Sequence, residues 1–216
     1  MHVWNFHEGS QARRAIFSPL TGSEPAYDPE RWNNKRKIRK THNCYAYVMD
    51  IINESFAKKP QPGYHSGYLH MSDDDIRSCD KLMERVKSDN PSVIPSTFSG
   101  KCPPGYRKGY ATVDTSDNPD YHFYRLDDTG IWSHKPGSTK ARMENFDGRL
   151  ILRPDKAKRE SNSHVYDKSC GYFCFDPTQG TVSNKPRKGG KKGGKRGRRK
   201  GKISKKKTSL SNKRDH

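Results

Sequence analysis

Apolar residues keep a helical period early in this chain and a strand-like one later. Over residues 41–56, Tyr45, Val48, Met49, Ile52 and Phe56 recur at spacings of three and four, which returns side chains to one face of an α-helix. Asn43 stands where an N-cap belongs, so a helix is predicted here with Cys44 in its first turn. Ser72 followed by Asp73, Asp74 and Asp75 marks a second start, with acids where the helix dipole favours them. Ile76, Cys79, Met83 and Val86 share the inner face of that helix. Beyond Pro91 the texture turns to short β-like runs: Tyr110 to Val113, Tyr121 to Leu126, Ile131 to His134, Arg149 to Leu152 and Tyr172 to Phe175. Helices first and strands later predict an α+β domain built over an antiparallel sheet.

Asp127-Asp128-Thr129-Gly130 separates two of these runs as a hairpin turn, with Gly130 suited to the left-handed position. A three-residue loop with a bulge would put His122 and His134 on one face of the hairpin. A four-residue loop would put them on opposite faces.

Three segments are expected. Residues 1–40 mix Gly, Pro, Ser and charge, end in the basic run Lys35 to Lys40, and read as an irregular arm that wraps a surface or a neighbouring subunit. Residues 41–178 form the domain. Residues 179–216 form a basic tail, in which 189–201 is a low-complexity run of Gly, Lys and Arg, predicted to be disordered by itself because it has nothing to bury.

Charge sharpens this division. The 216 residues carry 43 Lys and Arg against 24 acids, a net +19, and only 29% are hydrophobic, enough for one modest core. Residues 181–216 hold 16 of the basic side chains against one acid, Asp215; the first 180 hold 27 against 23. Basicity therefore belongs to the tail, and the domain need not bind nucleic acid. In the tail, Lys191, Lys192, Lys195, Arg196, Arg198, Arg199 and Lys200 alternate with glycine and lack aromatics. This composition suits sequence-independent contact with nucleic acid or another polyanion through charge and counterion release.

No signal peptide is readable at the start, and no apolar run approaches the roughly 20 residues of a membrane span. Five cysteines, an odd number in a long chain, argue for mostly reduced thiols, with one bridge between Cys170 and Cys174, or one involving Cys102, left open. The expected location is intracellular, with the virion and the nucleus as the compartments considered. Cys170 and Cys174 on one strand would face the same side roughly 13 Å apart. No second ligand pair follows them, so core packing is favoured over a metal site. No cofactor is expected, and His65 and His70 are left without a role.

The candidate chemistry lies in Asn43-Cys44-Tyr45-Ala46 and Asp120-Tyr121-His122-Phe123-Tyr124. A thiol at a helix N-terminus and a histidine on a distant strand are the parts of a cysteine hydrolase, since dipole and imidazolium both favour thiolate. Against this stand a buried structural thiol and a hydrogen-bonded core histidine. The order of these two motifs and Gly130-Ile131-Trp132-Ser133-His134-Lys135-Pro136-Gly137 resembles the papain-like NlpC/P60 superfamily over residues 41–176, in particular proteins of bacteria and large DNA viruses. That resemblance implies Cys44 as nucleophile, His122 as base and His134 as orienter, acting on an amide or peptide bond. The alternative is a non-catalytic structural protein, such as a minor capsid protein, that uses the enzyme-like fold as a packing module and the tail to neutralise nucleic acid or an acidic surface.

Overall fold

The computed structural model describes residues 17–161 and 163–187. Five short helices come first: α1 (Pro29–Asn33), α2 (Arg36–Thr41), α3 (Cys44–Val48), α4 (Asp73–Ile76) and α5 (Cys79–Asp89). Five strands follow: β1 (Ile94–Ser96), β2 (Arg107–Asp114), β3 (Asp120–Leu126), β4 (Trp132–His134) and β5 (Lys168–Phe175). They form one antiparallel sheet in the order β1-β5-β2-β3-β4, so the α+β expectation holds. One face of the sheet buries Ala111, Val113, Tyr121, Phe123, Phe173 and Phe175 against α3 and α5. The other gathers Tyr110, Tyr124, Leu126, Trp132 and Ile151.

The helix expected over 41–56 stops at Val48. Asp50 adopts φ 56°, Ile51 N–H donates to Ala46 O and Asp50 N–H to Tyr47 O, which together make a left-handed C-terminal cap. The apolar residues beyond still bury, but from a loop: Ile52 joins Trp32, Ile38 and Tyr47, and Phe56 stacks on His42. Periodicity alone could not see the break, because the stop is made by an aspartate where glycine is usual. The second predicted helix is cut in two by a further cap. Ser72 accepts from Asp75 N–H to start α4, and Ser78 accepts from Lys81 N–H to start α5.

Residues 17–40 depart from the irregular arm expected of them. Pro29 opens α1 behind an Asp28 cap, α2 follows, and Trp32 and Ile38 are buried against Tyr47 of the same chain. Ser18 Oγ donates to Phe98 O at 2.7 Å. This segment is part of the domain it was expected to extend. Residues 149–152 contribute isolated bridges, Trp132 to Ile151 and Glu144 to Leu150, in place of a strand. The unexpected β1 carries Pro95 at the sheet edge, where a missing N–H is tolerated.

The thiols also depart from expectation. Cys79 is bonded to Cys170 and Cys102 to Cys174, leaving Cys44 free and buried. The pairing depends on a bulge. Ala111 pairs with Gly171 but Thr112 with Ser169, so Cys170 is an extra residue beside Gly171 at φ 93°. The bulge breaks the alternation that would put Cys170 and Cys174 on one face. Cys170 packs with the α5 side and reaches Cys79, while Cys174 faces the opposite side and reaches Cys102. The bridges join residues 91 and 72 positions apart, so each removes much of the unfolded chain's freedom, roughly 4 to 5 kcal/mol by chain entropy.

Either bridge removed singly, as Cys79→Ser with Cys170→Ser or Cys102→Ser with Cys174→Ser, is expected to lower unfolding stability by about 2–5 kcal/mol. Urea midpoints with and without dithiothreitol measure this. A wild-type midpoint indifferent to reductant would mean that the bridges contribute nothing.

Candidate functional site

Cys44 is the first residue of α3, and Asn43 Oδ1 accepts from Ala46 N–H at 3.3 Å, as the sequence led us to expect. Its surroundings differ from those of a nucleophile. The side chain is buried, its thiol donates to Tyr121 O at 3.8 Å, and burial, helped by Asp120, pushes it up to about 12. An activated thiolate requires the opposite shift.

His122 and His134 are brought together. Asp127 N–H donates to Ile131 O and Gly130 N–H to Asp127 O, leaving Asp128-Thr129-Gly130 as a three-residue loop with Gly130 at φ 78°. This loop gives the register that pairs Tyr124 with His134 and places His122 and His134 on one face. His122 Nε2 lies 2.8 Å from His134 Nδ1, and His134 Nε2 lies 2.9 Å from Glu144 O. A carbonyl only accepts, so His134 carries its proton on Nε2 and takes the His122 Nε2–H at Nδ1. Arg142 Nε, 3.3 Å from His134 Nε2, is the weaker competitor for that nitrogen. Both rings are held neutral. Burial first and then His134, Arg142 and His164 keep His122 well below its ordinary value, and burial followed by Arg142 takes His134 down to about 3.

The sheet separates this pair from Cys44. Along β3, Tyr121 and Phe123 turn toward α3 and pack in the core that contains Cys44. His122 and Tyr124 turn the other way, as alternate residues of a strand must. There His122 packs on Tyr124 and Tyr166, and His134 stacks on Tyr124 at 5.0 Å. Tyr166 donates to Asp120 Oδ2 at 2.8 Å, and His164 Nδ1 lies 3.2 Å from Asp114 Oδ2. The rings and carboxylates therefore form a packed layer over one face, and the thiol lies under the other.

Further polar clusters lie beneath the surface and had no signature in the sequence. Asp50 takes Arg31 Nη1 at 2.8 Å, Arg107 Nη1 at 3.0 Å and Arg125 Nη1 at 3.1 Å. Arg125 also bonds Asp127 at 2.8 Å and lies 4.1 Å above the Tyr47 ring. Burial raises Asp127 to about 6 although Arg125 pulls it down. Lys135 Nζ donates to the carbonyls of Arg39, His42 and Gly137, two of them at the C-terminal end of α2, and burial lowers it to about 7. Lys108 Nζ is enclosed by Ser18 Oγ and the carbonyls of Thr97, Phe98 and Gly100. No grouping of three metal-ligating side chains occurs among the described residues. Lys191, Lys192, Lys195, Arg196, Arg198, Arg199 and Lys200 lie outside the described residues.

The described domain is thus a disulfide-linked helix-on-sheet unit with most of its buried polar groups bonded to one another. Insoluble matrix shell protein 1 of Ruditapes philippinarum is 33% identical to this chain over 135 residues, 62% of this chain and 80% of that protein. The chain belongs to the family of that matrix protein. No protein-family model and no solved structure matches it.

The neutral histidines imply acid sensitivity. A folded value below the unfolded one, near 6.5, means that stability is complete above pH 6.5 and is lost as pH falls toward the folded value. His134 alone should cost about 2 kcal/mol between pH 6.5 and 5. Urea midpoints at pH 7.5 and 5.0 should reveal the loss in wild type and a smaller one in His134→Gln. An equal loss in both would remove His134 as its source.

Proposed function

We propose that this chain is a non-catalytic structural protein of an extracellular matrix, in which a domain with the papain-like order of parts serves as a packing module. The observation that carries this reading is the family relationship to a protein named for an insoluble shell matrix. Two disulfides favour the same setting, since such bridges persist outside reducing compartments. No helix among the described residues is long and apolar enough to cross a membrane.

The hydrolase reading loses support where it most needs it. Nucleophile and base must lie within hydrogen-bond reach, whereas Cys44 bonds a backbone carbonyl and His122 bonds His134. In the structural reading both are core residues: the thiol fills space beside Tyr121, and the two imidazoles bond each other and the Glu144 carbonyl. The tail keeps its expected role as a polyanion-binding extension, now directed at acidic matrix polymers.

Immunolocalisation in intact, unpermeabilised tissue should place the protein outside cells, and extraction should require denaturant. Staining confined to cytosol or nuclei would sink this assignment. Separately, a small thiol probe should label Cys44 slowly from pH 6 to 9, at the same rate in His122→Phe. Fast labelling below pH 8 that depends on His122 would restore the hydrolase.

A further inference from the structure

The loop after α3 and the segment leading to the tail meet in a groove of about 1050 Å³. Four lysines line it: Lys40 at the end of α2, Lys58 and Lys59 in the loop, and Lys185. No aspartate or glutamate among the described residues does. Elsewhere on this surface lysines find carboxylates, as Lys35 does with Glu54, Lys81 with Asp75 and Lys158 with Asp147. None of the four groove lysines makes an ion pair among the described residues. Four like charges gathered in one concavity repel one another, and a bound anion would relieve that repulsion.

The groove is held in shape by the chain itself. Gln61 N–H donates to Ser183 O at 3.3 Å and Arg187 N–H to Tyr64 O at 3.1 Å, which fixes Lys185 in the wall. Tyr64 OH is bonded to His70 Nδ1 at 3.2 Å. Residues 183–187 therefore run along the groove, and the sequence that continues from Arg187 carries 14 more Lys and Arg between 188 and 216 against one acid. Groove and tail thus follow one another along the chain with the same sign of charge.

We infer that this groove is a binding site for a linear anionic polysaccharide, one bearing sulfate or carboxylate groups. Lysine ammonium groups meet such anions as point charges, without the planar fork that arginine offers to phosphate. Single-stranded nucleic acid is held by exposed aromatic faces as well as charge. Among the described residues Tyr64 is the one Tyr, Phe or Trp lining this groove, and it is only 9% exposed. The choice of glycan over nucleic acid rests in part on the extracellular reading; the groove itself does not.

The test uses the full-length, disulfide-intact protein, a heparin-derived dodecasaccharide as the glycan, and an oligothymidylate of matched charge. One variant replaces Lys40, Lys58, Lys59 and Lys185 with Gln. A second replaces Lys191, Lys192, Lys195, Arg196, Arg198, Arg199 and Lys200 with Gln. The groove variant should bind the dodecasaccharide at least tenfold more weakly with its tail intact, and the slope of log K against log salt should fall by roughly 3. The tail variant should retain saturable binding, and wild type should prefer the glycan to the oligothymidylate. Unchanged affinity in the groove variant would assign all binding to the tail and overturn the site. Equal or tighter binding of oligothymidylate would overturn the glycan. A groove that passes both arms in a protein found inside cells would leave the site standing and remove the matrix reading, so the two failures are distinguishable.

Discussion

The carboxylate of Asp50 ties α1 and the end of α3 to the paired strands β2 and β3. Its backbone sits in the left-handed region, at a cost of about 1–2 kcal/mol for a residue with a side chain. That conformation ends α3 and turns the carboxylate toward Arg31 of α1, Arg107 of β2 and Arg125 of β3. Arg125 is 1% exposed, and the cost of burying its charge is offset by anions on both sides, Asp50 and Asp127. Glycine would take the turn more easily but would leave three guanidinium groups without this partner. The strained turn and the charge cluster are therefore one device, fixing the N-terminal helices, the end of α3 and the sheet to one another.

The disulfides act at a different level. Asp50 joins elements in the folded state, whereas the bridges restrict the unfolded chain, from 79 to 170 and from 102 to 174. Both end on β5, on opposite faces, because one bulge at Cys170 shifts the strand's phase. Helix α5 is thereby fastened to one side, and the segment before β2 to the other. For a chain with so few hydrophobic residues, covalent closure supplies what a small core cannot.

Much of the fold was legible in local pattern. The strands around Tyr110, Tyr121 and Tyr172 were read from aromatic and β-branched runs, and the Asn43 and Ser72 caps from side chains that satisfy the helix's first N–H groups. What escaped were features set by tertiary partners. Asp50 resembles any exposed aspartate in sequence, and its three arginines lie 19, 57 and 75 positions away. The pairing of four cysteines was hidden because the bulge that separates Cys170 from Cys174 is a matter of register. The histidine pair was within reach of the sequence, since the loop length alone decided whether His122 and His134 shared a face. Their separation from Cys44 also followed from alternation, once α3 was known to pack on Tyr121 and Phe123.

A cysteine heading a helix and a histidine on a strand define an enzyme only if both face the same space, and a shift of one residue along β3 reverses the outcome. Here Tyr121 occupies the position from which a base would reach the thiol, and its hydroxyl is engaged by Asn43 and Gln61. The histidine one step along serves the opposite layer, neutral and stacked. Among the described residues, charge lies outside the core as well, in the lysine groove. Polar chemistry turned inward and groove lysines turned outward are the features on which the proposed structural role rests.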